Sequence, residues 1–324
     1  MAFSLEDFWI WDFWLADDGD QFHLYYLHAP KSLDDPELRH RNARFGHATS
    51  TDLVTWHDLG PILGPGKPGD FDETATWTGS VLQGPDGLWR MFYTGASFLP
   101  GGGNIETIGV ATSPDLFTWT KQPGPLVKAD PRWYETFGTS SWPEEAWRDP
   151  WVFADPHGDG WHMLVTGRSN QGADDERGVI GHATSPDLEQ WSVQKPLSNP
   201  GAGFAHLEVP QLVRVDAHHV LLFSCNTPAL SDAAKRNGLS GGIWSLPVTQ
   251  PLENLAIDSA TLLAPESLYS GRIIHDRTGM AVMLAFDMAD SEGAFLGSVS
   301  DPIPVGWASD RSSLRLERVP VIAQ

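Results

Sequence analysis

"IGVATSPDLFTW", Ile108 to Trp119, decides the fold, because the chain repeats it. "FGHATSTDLVTW" begins at Phe45 and "IGHATSPDLEQW" at Ile180, and two weaker echoes follow, "GGIWSLPVTQPL" from Gly241 and "LGSVSDPIPVGW" from Leu296. The corresponding glycines, Gly46, Gly109, Gly181, Gly242 and Gly297, are separated by 63, 72, 61 and 55 residues. A recurring period of this size marks a repeat architecture. Each copy follows a strand-like run: "FHLYYLHAP", "WRMFYTGAS", "WHMLVTGRS", "VLLFSCNTP" and "AVMLAFDMA". Each run follows another after a turn, as in "GSVLQGPDGL". Aromatic and β-branched residues bounded by Asp, Gly and Pro turns predict antiparallel hairpins.

The unit is therefore strand, turn, strand, loop, strand with "ATSxDLxxW", then an outer strand. Four antiparallel strands in about 60 residues is the pattern of a propeller blade. Five units predict an all-β fold, a five-bladed β-propeller of four-stranded antiparallel blades. Residues 1–324 are expected to form that single domain, with no C-terminal β-sandwich. Five separate β domains are disfavoured, because a lone blade cannot bury both faces. Trp56, Trp119 and Trp191 are expected to pack blade against blade. Asp52, Asp115 and Asp187 are expected to cap backbone N–H groups in turns.

The chain carries 42 Asp plus Glu against 21 Lys plus Arg, a formal charge of −21. Without a basic footprint, nucleic acid and anionic membrane surfaces are excluded as partners. A polyanionic substrate is disfavoured; a neutral sugar is not. No uninterrupted apolar span reaches membrane length. Cys225 is the only cysteine, so no intrachain disulfide forms, and its apolar setting predicts a buried, inert thiol. "MAFSLEDFWIWDFW" has no basic n-region and no small-residue cleavage site, so a soluble, cytoplasmic protein is expected. The twelve His show no HExxH spacing, and no metal or cofactor is expected. "DPHGDG" (Asp155 to Gly160) lacks the alternating ligands of a calcium loop and reads as a hairpin turn. "RHRNAR" (Arg39 to Arg44) is a basic island expected to pair with acidic neighbours. "GGGN" (Gly101 to Asn104) and "SDAAKRNGLSGG" (Ser231 to Gly242) read as mobile loops able to rim a pocket.

In a propeller the first strand of each blade lines the central channel, and its beginning faces one mouth. The strand heads read "WIWDFW" with Asp12, "TWTGS" with Trp77 to Ser80, "WRDP", "HLEVP" with Glu208, and "YSGRI" with Ser270 to Arg272. Asp12, Asp149 and Glu208 are thus expected at equivalent positions in three blades, converging on one mouth from 137 and 59 residues apart. Three carboxylates in a partly desolvated pocket raise one another's pKa values, which keeps one protonated beside others that are ionised. A single Asp in a channel would mean little; three beside tryptophans point to general acid–base chemistry. His206, two residues before Glu208, shares its strand face.

These motifs resemble the furanosidase propellers of glycoside hydrolase family 32 (invertases, inulinases, levanases) and the sister family 68 (levansucrases). "FGHATSTDLVTW" is similar to "WGHAxSxDLxxW", "WTGS" to "WSGS", "WRDP" to "FRDP" and "LEVP" to the "ECP"-type motif. "WIWDFW" is closer to the "WDxWP" of levansucrases than to "NDPNG". "YYLHAP" stands where the family has "FYQYNP", so Leu27 takes the place of a glutamine. The resemblance implies that Asp12 is the nucleophile, Glu208 the general acid/base and Asp149 the stabiliser of the reacting sugar, supported by Arg148. It implies that Trp77 and Ser80 help wall the sugar subsite. The activity implied is retaining cleavage of β-fructofuranosidic bonds in sucrose or short fructosides, with fructosyl transfer open. Two alternatives stand beside it: an inverting arabinofuranosidase or xylosidase of the related family 43, and a non-catalytic carbohydrate-binding propeller. The expected partner is a small-molecule or oligosaccharide substrate; oligomeric state is not legible.

Overall fold

The computed structural model describes residues 2–317 except 159, 250–251 and 290–292. Twenty-two strands among them group into five antiparallel sheets, the blades of a propeller. Blade one is β1 (Phe8–Asp17), β2 (Phe22–Pro30), β3 (Arg44–Ser50) and β4 (His57–Leu63). Blade two is β5 (Ala75–Gln83), β6 (Trp89–Phe98), β7 (Asn104–Ser113) and β8 (Thr120–Lys121), with β9 (Glu144–Glu145) added parallel to β7. Blade three is β10 (Trp147–Ala154), β11 (Trp161–Arg168), β12 (Gly178–Ser185) and β13 (Ser192–Gln194). Blade four is β14 (Glu208–Val215), β15 (His218–Cys225), β16 (Gly242–Val248) and β17 (Thr261–Pro265).

Blade five departs from the pattern. It comprises β18 (Leu268–His275), β19 (Ala281–Ala289), β20 (Phe295–Val299), β21 (Ile303–Trp307) and β22 (Leu314–Leu316). Both β20 and β21 pair with β19, so the third strand is broken in two at Ser300–Pro302. That break explains why "LGSVSDPIPVGW" is only a weak copy of the repeat. The fourth copy includes Gln250 and Pro251, which lie outside the described residues. Phe3 exchanges two backbone hydrogen bonds with Val299, each 2.8 Å, joining the start of the chain to blade five.

Strands sandwiched between blades read as continuous apolar runs because both faces are covered. All of Phe22 to Ala29 on β2 is buried, whereas no residue of the outer strand β4 is. Five hydrophobic clusters fill the five seams between blades. The repeated tryptophans sit in these seams: Trp119 packs edge-on to Tyr25 of the preceding blade and Trp191 to Phe92. Trp56 packs beside Phe3 in the seam that closes the ring. In the "TSxDL" turns, Asp52 Oδ1 accepts from the Val54 and Thr55 amides at 2.9 and 2.7 Å, and Asp115 and Asp187 repeat this geometry. Leu53, Leu116 and Leu188 are each buried at a φ of 63–67°, a left-handed conformation held by the turn.

The "SDAAKRNGLSGG" segment is more ordered than its composition suggests. It contains one helical turn, α1 (Asp232–Arg236), whose first turn is capped by Ser231 Oγ accepting from Ala234 N at 3.1 Å. Cys225 is buried and reduced. No helix of the described residues is long and apolar enough to cross a membrane.

Candidate active site

All five innermost strands carry a β-bulge near their heads, where two residues oppose one on the neighbouring strand. The bulge falls at Asp12, Thr78, Asp149, Val209 and Ser270. Asp149, Val209 and Ser270 have φ values of 58°, 52° and 50°. Such backbone is unfavourable by about 1–2 kcal/mol for a non-glycine residue, and persists because the ring over-determines it. The bulge aims one side chain per blade at the mouth.

This frame corrects the expected equivalence of the three carboxylates. Asp12 and Asp149 are bulge residues, but Glu208 stands one place earlier, at the position of Trp11, Trp77, Arg148 and Tyr269. Strand alternation cannot reveal that offset, because a bulge breaks the two-residue period. All three carboxylates still line one cavity of about 480 Å³, together with Trp77 and Arg148. Ser80 is not among the lining residues; it is buried deeper, and its Oγ accepts from the Val152 amide of blade three at 3.3 Å.

Asp12 Oδ2 accepts from Thr78 Oγ1 and its Oδ1 from Ser270 Oγ, both at 2.6 Å. Both donors are bulge residues of the flanking blades. Burial raises the Asp12 pKa, the two hydroxyls oppose that rise, and the Glu208 charge adds to it. Asp149 Oδ2 accepts from Thr166 Oγ1 at 2.7 Å and from the Val209 amide at 3.1 Å. Burial pushes Asp149 up to about 6, against the pull of Arg148 and with the help of Asp12 and Glu208. Arg272 lies buried, donating to the Pro210 carbonyl at 2.9 Å; its field favours the ionised forms of Asp149 and Asp12.

Glu208 is held differently. Its Oε1 accepts from Arg148 Nη2 at 2.7 Å and its Oε2 from the Tyr269 hydroxyl. Burial alone would raise its pKa, but the Arg148 charge, helped by the Tyr269 hydroxyl, outweighs burial and holds it well below the usual carboxylate range. His206 Nδ1 lies 2.7 Å from the same guanidinium nitrogen and accepts from it, because burial and Arg148 keep the imidazole neutral. Arg148 Nη1 reaches Glu106 Oε2 at 2.9 Å.

The remaining wall comes from the basic island and from blade five. Arg39 is buried and paired with Glu37 at 3.0 Å, as the island's expected role requires. Its guanidinium stacks 4.3 Å from the Phe295 ring centroid. The His40 carbonyl accepts from Trp77 Nε1 at 2.8 Å, which orients the indole at the cavity edge. Leu27 lines the cavity at the glutamine-equivalent position. Thr78, Ser270, Tyr269 and Glu106 were not singled out by sequence as site residues. The first three carry a signal in hindsight, since they sit at strand heads; Glu106 lies on a third strand and has none.

Chemically, the mouth offers one carboxylate held by two hydroxyls, a second gripped by an arginine and a phenol, and a third held by a hydroxyl and a backbone amide. Residues 15–294 match the N-terminal domain of glycosyl hydrolases family 32. Among curated relatives, sucrose-6-phosphate hydrolase of Escherichia coli is 28% identical over 236 residues, 70% of this chain and 44% of that protein. Raffinose invertase of the same organism is 28% identical over 229 residues, 69% of this chain and 42% of that protein. The chain thus spans less than half the length of these two relatives. Among solved structures, inulosucrase from Halalkalicoccus jeotgali bound to kestose superposes with a TM-score of 0.79 at 21% identity, covering 96% of this chain and 87% of that one. A likeness of that extent speaks for the fold, and the sequence match over 15–294 settles the lineage: the chain belongs to glycosyl hydrolase family 32.

Proposed function

We propose that the protein is a β-fructofuranosidase that cleaves sucrose or short fructosides with retention of configuration. The observation that carries this reading is the meeting of Asp12, Asp149 and Glu208, from blades one, three and four, in one cavity. Family membership supports it. In the proposed cycle, Asp12 attacks the anomeric carbon of the fructosyl unit while Glu208 protonates the departing oxygen. Positive charge develops on the ring as the bond breaks, and the Asp149 carboxylate stabilises it. Glu208 then takes a proton from water, whose oxygen displaces Asp12 and frees fructose. A sugar hydroxyl in place of that water gives fructosyl transfer.

The setting of Asp12 supports its role. Two hydroxyl donors leave its oxygens fixed in direction and favour the ionised form a nucleophile needs. The test is a panel of sucrose, inulin, levan and an arabinofuranoside, with the anomer first released followed by NMR. Rapid fructose release with retention, lost in Asp12→Asn and in Glu208→Gln, is the expected result. Release from the arabinofuranoside alone, with inversion, would favour the family 43-like chemistry, and fructose binding without turnover would favour a binding propeller. Removing general acid–base catalysis is expected to lower turnover by about 10²–10⁴-fold.

A further inference from the structure

One guanidinium serves more carboxylates than it can neutralise. Arg148 Nη1 donates to Glu106 Oε2 at 2.9 Å and lies 3.5 Å from Glu144 Oε2. Its Nη2 donates to Glu208 Oε1 at 2.7 Å, and its Nε lies 3.7 Å from Asp149 Oδ2. Glu106 and Glu208 thus occupy the two tips of one fork. The three groups come from β7, β10 and β14, on three successive blades. Glu106 is almost wholly buried, and its other oxygen accepts from Asn104 Nδ2 at 2.8 Å. If both tips held ionised carboxylates, a buried negative charge would go uncompensated, which proteins avoid by retaining a proton. Two sites in that relation titrate as a pair.

We infer that Glu106 and Glu208 compete for Arg148 and share one proton, so that Glu106 is a positioning residue that sets, through Arg148, when Glu208 is protonated. In the resting site the proton is on Glu106 and Arg148 belongs to Glu208. When Glu106 releases its proton to the water-accessible cavity it takes over Arg148, and Glu208 takes up a proton from the same cavity; the proton count is unchanged. This inference rests on the reading of Glu208 as the general acid/base. It answers a difficulty in that reading, because Arg148 and Tyr269 both favour the ionised form of a group that must donate a proton. Burial drives Glu106 up to about 8 against the opposing pull of Arg148, with Glu144 and Asp149 adding to the rise. Asp12, Asp149, His40 and Cys225 also face Glu208 electrostatically.

The test begins without substrate. Infrared difference titrations follow the C=O stretch of buried protonated carboxyls in the wild type, Glu106→Gln and Glu208→Gln. One protonated carboxyl present in the wild type at neutral pH is expected to be missing from Glu106→Gln. In Glu208→Gln, Arg148 is no longer shared, so that carboxyl is expected to lose its proton at least about one pH unit lower. A titration that does not move in Glu208→Gln, or no missing carboxyl in Glu106→Gln, overturns the proposal. Should Glu106→Gln fail to fold, the Glu208→Gln titration decides alone. The kinetic arm uses a fructoside that the wild type cleaves. Glu106→Gln keeps an acceptor for Arg148 but cannot become its anionic partner, so the alkaline limb of kcat/KM moves to lower pH by about one unit or more. The expected loss is about tenfold or greater at neutral pH and small in acid. A loss equal at every pH would mean that Glu106 only packs, and would also overturn it. A wild type inactive on fructosides defeats the activity reading, while the infrared titration still decides the proton sharing.

Discussion

Thr78 donates its hydroxyl to Asp12 Oδ2 at 2.6 Å from the same bulge position one blade along. The bond is charge-assisted and partly buried, and Ser270 repeats it from the other flanking blade. Thr78→Val keeps the shape and removes the donor. A hydrogen bond to a charged group is worth about 1.5–3 kcal/mol, so turnover is expected to fall by about 10–100-fold. The acid limb of the pH–rate profile should move to higher pH, because Asp12 loses a donor that favours its ionised form. Steady-state kinetics from pH 4 to 9 checks both.

Tyr269 acts on Glu208 in the same sense. Its hydroxyl stabilises the ionised carboxylate, so Tyr269→Phe is expected to raise the Glu208 pKa. The alkaline limb of kcat/KM then moves to higher pH by about one unit. A profile unchanged in position but lower in height would show that the phenol only fills space.

Asp149 is set against stability. Its pKa rises from 3.8 to about 6 on folding, chiefly through burial. The sign follows: a carboxyl raised in the folded state favours folding fully below pH 3.8, and that contribution is lost as pH climbs through about 6. Asp149→Asn is therefore expected to lose turnover yet gain stability at pH 7–8, by at most about 3 kcal/mol at 1.4 kcal/mol per pKa unit. The gain should vanish below pH 4. Urea unfolding of both proteins at pH 4 and 7.5 measures it.

Two histidine pairs make the opposite prediction for acid. His23 Nδ1 meets His47 Nε2 at 2.9 Å in blade one, and His162 Nδ1 meets His182 Nε2 at 2.9 Å in blade three. Burial and the neighbouring ring lower His47 to about 3 and His182 to about 4; a weaker pull from Asp58 opposes the shift at His47. A histidine depressed on folding stabilises above its ordinary value and loses that contribution as pH falls toward the folded one. Between about pH 6.5 and 4 the urea midpoint should fall, and fall less in a His47→Gln, His182→Gln double variant.

The repeated turns carry structure and no chemistry. Asp115→Ala removes the acceptor that satisfies the Phe117 and Thr118 amides and holds Leu116 at its positive φ. The expected outcome is a lower Tm with an unchanged kcat, measured by calorimetry and initial rates.

Much of this was legible because repetition is a sequence property. "ATSxDLxxW" located the third strands, its spacing gave five blades, and the strand heads gave Asp12, Asp149 and Glu208. What escaped is what backbone geometry adds after folding. A bulge is invisible to alternation, so Glu208 was aligned one residue out of frame. Ser80 sits beyond the bulge, where the strand has already turned into the seam. Glu106 belongs to a third strand and reaches the cavity only because β6 and β7 are long; reading strand heads alone could not find it. Asn104, the last residue of a glycine-rich run that looks like loop, is buried at the start of β7 and holds Glu106 in place.

The five bulges amount to five equivalent sockets, made by main chain and filled with Asp, Thr, Asp, Val and Ser. A socket of this kind accepts a new occupant without rebuilding the frame around it. Architecture and reactivity can then be inherited separately: duplication copies the socket, and single substitutions rewrite what is plugged into it.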